Sequence, residues 1–321
     1  ATTGDGSGKS WADATTDLQG AINASDVSQV FVAIGTYNVS SSSFVMKEGI
    51  AIYGGFDPAN GISTLANKRI MPRSGNRGSI LNGNGQRPVI WNFNNNLTAA
   101  AVLDGFTITG GQALNNTSSG GIYNRNASPT LRNLLITANS ATNGGGMYNE
   151  NASPGLFSVA IVNNSATNQG GGMFNSGGTP VLTNVTIAGN GASTGKALYC
   201  VSGNPVLNNS IVFGDINGDY TASYSLIENS LNTNNHNLNG SGIMPAHIFV
   251  NPGSENYALV TGAAALDQGS DALYGTPAMA TDIAGFTRLY GSAVDMGAYE
   301  YHQVVASGDG TIYVRTSGMG N

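Results

Sequence analysis

Four consecutive stretches of the chain repeat one another. They are GGIYNRNASPTLRNLLITANSATN from Gly120, GGGMYNENASPGLFSVAIVNNSATN from Gly144, GGGMFNSGGTPVLTNVTIAGNGAST from Gly170 and GKALYCVSGNPVLNNSIVFGDING from Gly195. An aromatic recurs at Tyr123, Tyr148, Phe174 and Tyr199 in steps of 25, 26 and 25, and Pro129, Pro154, Pro180 and Pro205 keep the same steps. A period of this size means one supersecondary unit stacked on copies of itself, which leaves few folds open.

Each unit holds three short runs bounded by turn formers; in the second they centre on Met147, on Leu156 and on Val159 to Val162. The runs alternate or are fully apolar, are rich in β-branched residues and are too short for stable helices. Three short strands and three bends per turn describe one coil of an all-β parallel β-helix, in which equivalent residues lie above one another at the strand spacing of a sheet, roughly 4.8 Å. Leu131, Leu156, Leu182 and Leu207 should then form one interior row, and Leu134, Val159 and Val185 another. Asn124, Asn149 and Asn175 should form a hydrogen-bonded amide column. The glycines before each aromatic are expected to turn the chain with positive φ. The fourth unit, with Lys196, Ala197 and Cys200 in place of two glycines and an Asn, should lie near the end of the regular stack.

Simple length would divide 321 residues into two globular domains, but solenoids grow in one dimension. Charged residues make up only 9% and the net charge is −6, so there is no basic stripe to neutralise nucleic-acid phosphates or to engage an anionic membrane. No run of about 18 apolar residues predicts a membrane-spanning helix. The lone Cys200 excludes an internal disulfide and reads as a small core residue. No signal peptide is visible and the chain opens in mid-motif, which fits a mature or excised piece. Low charge and richness in Asn, Ser and Thr point to an extracellular or cell-surface protein.

The segment WADATTDLQGAINA places Trp11, Ala14, Leu18, Ala21 and Ile22 on one helical face, an amphipathic helix suited to covering the mouth of the stack. The expected plan is therefore a cap over residues 1–29, coils over about 30–228 and a loop-rich C-terminal cap over 229–300. Residues 301–321 form a linker and strand. Asp57 to Gly78, with Lys68, Arg69, Arg73 and Arg77, reads as a solvated loop excursion.

The opening GDGSGKSWADATTDLQGAINA, the YGGF strand end at Tyr53 to Phe56, the GGGMYN coils and the closing LDQGSDALYG…TDIAGFTRLYGSAVDMGAYEY together carry a resemblance that covers nearly the whole chain. It is to right-handed β-helix surface proteins of the choice-of-anchor Q type and to the related polymorphic outer-membrane-protein repeats. The resemblance implies a right-handed β-helix in a secreted or surface-attached bacterial protein, often adhesin-like. In the closing segment Asp267, Asp282, Arg288, Asp295 and Glu300 gather five of the few charges. A carboxylate cluster of this kind could serve acid–base or metal chemistry. The structural alternative, which we favour, has Arg288 held between Asp267 or Asp295 and buried backbone, fixing the loops that close the stack.

After Glu300 the tail SGDGTIYVRTSGMGN adds a further strand, Thr311, Ile312, Tyr313, Val314 and Arg315. In proteins of the resembled type such a strand precedes the GDGSGKSW opening. This implies that the strand is lent forward to the next copy, through a peptide bond or by donor-strand exchange, giving a head-to-tail homopolymer or tandem array. The alternative is that the tail folds back on its own domain.

Other chemistry finds little footing. GDGSGKS fails the phosphate-loop spacing, since Thr3 stands where Gly is required. Polysaccharide lyases and hydrolases need clustered carboxylates on one face, whereas the central coils carry only Asp104, Glu150 and Asp215. His236, His247 and His302 form no metal spacing, and Asp215, Asn217 and Asp219 match a calcium loop only weakly. No catalytic residue, cofactor or metal is expected. The sequence thus predicts a structural or adhesive β-helix module partnered with itself. Surface glycans are the ligand of a second, adhesin reading, and a polysaccharide-active enzyme is a third.

Overall fold

A computed structural model describes residues 4–73, 75–113, 119–230, 233–274 and 280–303. Thr311, Ile312, Tyr313, Val314 and Arg315 lie outside the described residues.

The chain is an all-β parallel solenoid. Its first sheet has eight strands, from Gln29–Ala33 to Thr221–Ser223; the second has nine, from Gly35–Asn38 to Leu238–Asn239; the third has six, from Ile90–Phe93 to Ile216–Asn217. Within each sheet the spatial order follows the chain order. In the second repeat, Met147–Glu150 belongs to the third sheet, Gly155–Phe157 to the first and Ala160–Val162 to the second. A short extra ribbon pairs Ser140–Asn143 with Ser165–Gln169.

The repeat sets the register directly. Tyr123, Tyr148, Phe174 and Tyr199 are successive partners in the third sheet, and Leu131, Leu156, Leu182 and Leu207 in the first. The leucines are fully buried, as are Leu134, Val159 and Val185, so both expected rows fill the interior. Each such side chain contributes about 1.5–3 kcal/mol by leaving water.

Amide columns satisfy the polar interior. Asn92 Nδ2 donates to Asn124 Oδ1 at 3.0 Å, and Asn124 Nδ2 to Asn149 Oδ1 at 3.0 Å. The column then breaks: Asn149 Nδ2 meets Met173 Sδ, and Asn175 Nδ2 turns to Ser202 O and Cys200 Sγ. A second column at the bends is tighter. Asn164 Oδ1 accepts from both Asn139 N and Asn139 Nδ2, and Asn190 Oδ1 does the same for Asn164. Asp215 caps the turn before Leu198–Ser202 by accepting from Gly195 N and Lys196 N.

The glycine triplets correct a sequence expectation. Only the first of each has positive φ: Gly144 at 66° and Gly170 at 67°. The other two are small because the coils touch. A Cβ on Gly146 would lie 2.6 Å from Gly172 O and 2.8 Å from Ile161 Cγ2.

The N-terminal helix is shorter than its apolar pattern suggests. It spans Leu18–Asn23, capped by Asp17, whose carboxylate accepts from Gly20 N, and it buries Leu18 and Ile22 against the end of the core. Trp11 lies before it, 5.5 Å from the Phe56 ring, with Nε1 donating to Ser63 O at 2.9 Å.

The largest correction concerns the C-terminal region. Only its first residues extend the stack, where Leu238–Asn239 pairs with Leu226–Ile227; the described residues from Ile248 onward run back along the outer face of the second sheet. Ile248, Phe249, Tyr257, Ile283, Met296 and Tyr299 form a second core with Leu135, Ala160, Val162, Ala188, Ile211 and Leu226. Its contacts reach back to the Asp57–Gly78 excursion, where Glu255 pairs with Arg77 and Phe286 lies under Lys68. That excursion is therefore not merely solvated. Arg69 also bonds Asp104 Oδ1 at 3.0 Å, and Asp104 pairs with Arg132 as well.

Candidate functional site

The junction between this flanking segment and the stack gathers the charges singled out in the sequence. Beyond the Phe249–Asn251 and Asn256–Leu259 hairpin its flanking half has no regular strand among the described residues, so the irregular backbone needs other acceptors, and the carboxylates supply them. Asp282 Oδ1 accepts from Ala284 N at 3.0 Å and Phe286 N at 2.7 Å, while its Oδ2 accepts from Glu300 N at 2.9 Å. Asp295 accepts from Asp267 N at 2.7 Å and Tyr301 N at 2.6 Å. Asp267 is exposed, and its Oδ1 accepts from Ser292 N at 2.9 Å.

Arg288 sits at the centre, only 1% exposed. Its carboxylate partner is Glu300, at 3.4 Å, not Asp267 or Asp295 as the sequence suggested. The shorter contacts go to neutral oxygens: Ala298 O at 2.8 Å, Gly297 O at 3.1 Å and Ser158 Oγ at 3.1 Å. The guanidinium thus rivets three levels of chain together, and one of them is the stack itself.

Burial dominates the electrostatics. It pushes the Glu300 carboxyl up to about 9, with Arg288 opposing the shift through a single long contact and Asp295 adding to it. Burial also raises Asp282 and Asp295, against their backbone donors and Arg288. Tyr299 is raised by the same cause, and Tyr257 is pushed up to about 12. Beside the cluster lies a cavity of about 390 Å³ lined by Arg73, Asn76, Asp282, Phe286, Tyr299 and Glu300. A cavity with shifted carboxyls is where acid–base chemistry would be sought. Here the Asp282 and Glu300 oxygens already serve backbone N–H groups and Arg288.

Sequence reasoning missed the stack's half of this junction. The corner residues Asn133, Ser158, Asn184 and Asn209 all have φ near 50°. Asn184 Nδ2 donates to Asp295 O, Asn209 exchanges two bonds with Ser270, and Ser158 receives Arg288. Higher up, Glu255 accepts from Thr137 Oγ1 and Tyr257 Oη donates to Asn163 Oδ1 at 2.7 Å. Two signals were available. Ser158 interrupts a column of asparagines, and the runs Leu134 to Ile136 and Val159 to Val162 are apolar without alternation, the mark of a sheet covered on both faces.

The third sheet presents the other conspicuous feature, an outward column of rings. Trp91, Tyr123, Tyr148, Phe174 and Tyr199 stack with centroids 4.1, 5.5, 4.6 and 5.5 Å apart. Tyr123 Oη donates to Glu150 Oε2 at 2.9 Å, and Arg125 lies 5.1 Å over the exposed Phe93. Among the described residues no group of three or more His, Cys, Asp or Glu could hold a metal ion, and no helix is long and apolar enough to cross a membrane. Comparison with family models, curated proteins and solved structures finds no match to this chain.

Proposed function

We propose that the chain is an extracellular structural module, a right-handed parallel β-helix of three-stranded coils, that joins copies head to tail through Thr311 to Arg315. The supporting observation is the open edge at its N-terminal end. Gln29–Ala33 is the first strand of the first sheet and pairs only with Ala51–Phe56; among the described residues no strand lies on its other side. Leu18–Asn23 covers the apolar end of the core beside it but adds no strand to the ladder. An unpaired parallel edge next to a covered core is a receptor for one more strand.

The continuous ladders also suit a load-bearing role, since strands inside the stack pair with the coils on both sides and the interior amides bond along the axis. A polysaccharide-active enzyme finds less support, because the clustered acids are spent on backbone donors. The test is electron microscopy of the whole chain beside an Ile312→Asp, Val314→Asp variant. Fibres with an axial repeat near one module length, lost in the variant while the β signal in circular dichroism persists, support the reading. Dispersed particles for both proteins would overturn it.

A further inference from the structure

The aromatic column ends at Trp91, beyond which the ladder continues with Val45 and not with another ring. Tyr123, Tyr148 and Phe174 each give both faces to neighbours, so no ligand can stack on them. At the far end Tyr199 is followed in register by Asn217. At the near end the Phe44–Ile90 bridge brings Val45 alongside Trp91, and among the described residues no ring covers the second face of the indole. Trp91 instead forms one wall of a surface groove of about 420 Å³, shared with Ser42, Val45, Gln86, Arg87 and Pro88.

The polar groups there are short of partners. Arg87 Nη1 is held by Ser41 O at 2.6 Å, which fixes the guanidinium, yet its Nε has no acceptor. No carboxylate pairs with Arg87 among the described residues. Trp91 Nε1 makes no hydrogen bond among them either. An indole wall beside fixed, unused donors and one unpaired cation calls for a ligand with an apolar face, an acceptor-rich rim and a negative charge.

We propose that this groove binds a pyranose bearing a carboxylate, a uronic acid residue of an acidic polysaccharide, with its C–H face on Trp91 and its carboxylate on Arg87. This inference is independent of head-to-tail assembly, since it uses neither Gln29–Ala33 nor the tail.

Trp11 and Trp91 are the two tryptophans, so a Trp11→Phe background isolates the emission of Trp91. Titration with trigalacturonate should change that emission saturably. A neutral trisaccharide of the same length, or an Arg87→Gln variant, should bind at least about tenfold more weakly. Tyr199→Ala, at the covered end, should bind as the parent does, and Trp91→Ala should lose the saturation-transfer NMR signals of the sugar. Equal binding of acidic and neutral sugars, unchanged binding by Arg87→Gln, or no saturation below about 10 mM would each overturn the proposal. So would an emission shift that follows protein concentration without sugar, because a ring from a second copy would then own the face.

Discussion

Arg288 and Ser158 stand 130 positions apart in the chain, yet Arg288 Nη2 donates to Ser158 Oγ at 3.1 Å, both side chains buried. Ser158 occupies a corner with φ of 52° where Asn133, Asn184 and Asn209 stand in other coils. Asn suits that conformation better than Ser, so the local choice is a compromise that leaves room for a guanidinium.

The first prediction follows from that exchange. Ser158→Asn should destabilise the protein although it improves the local turn, because the larger side chain displaces Arg288. Arg288→Ala should be worse, about 2–4 kcal/mol, since Ala298 O, Gly297 O and Ser158 Oγ lose their buried donor together. Hydrogen exchange should show the loss concentrated in residues 240–300, with the strands from Ser79 to Ile227 still protected; uniform loss would contradict the rivet.

Stability should fall with rising pH. Glu300 titrates at about 9 in the folded protein against 4.5 in the free side chain. Between those values the unfolded chain gives up a proton that the folded one keeps, so unfolding gains on folding throughout that window. Asp282 and Asp295 shift in the same direction. The melting temperature should therefore drop by at least about 3 °C between pH 5 and pH 8.5. Glu300→Gln keeps an acceptor for Asp295 N and should flatten that slope; a slope unchanged by the substitution would assign it to other groups.

The bend column should be costly to interrupt. Asn164 serves Asn139 through Oδ1 and reaches Ile136 O, Val162 O and Asn190 Oδ1 through Nδ2. Asn164→Ala should cost about 2–4 kcal/mol in urea unfolding, because it strands several buried groups at once. Asn168→Ala removes only an exposed bond to Asn143 and should stay within about 0.5 kcal/mol.

Close stacking of coils predicts a difference between glycines. A Cβ on Gly146 meets the next coil's carbonyl, whereas Gly6, with φ of 73°, has nothing within 4 Å of its Cβ position. Gly146→Ala should cost more than about 2 kcal/mol, from overpacking, and Gly6→Ala only about 1 kcal/mol, from backbone strain. Equal effects in thermal unfolding would mean that backbone conformation alone selects glycine in the triplets.

The stack was legible in the chain because its contacts join equivalent positions of neighbouring repeats. A period of about 25 residues places Leu156 on Leu131 and Tyr148 on Tyr123 with no further information, and the same arithmetic sets the amide columns. The helix was over-read because its apolar spacing continued past Asp17, where a side-chain cap starts the helix later. The five charges of the closing segment stood out by their rarity, but their pairing did not: Asp282 and Asp295 lie nearer to Arg288 in sequence than Glu300, which the fold pairs with it.

The repeat by itself therefore determined the parallel sheets, their register and the filled interior, since these rest on contacts between like positions one period apart. Only the tertiary structure decided that the described residues from Ile248 to Tyr299 lie along the flank of the second sheet, that Ser158 receives Arg288 and that Glu255 reaches Arg77. Those contacts join a non-repeating segment to residues up to 178 positions away. No spacing rule encodes them; they are settled by which apolar face was still uncovered and which buried donors still lacked an acceptor.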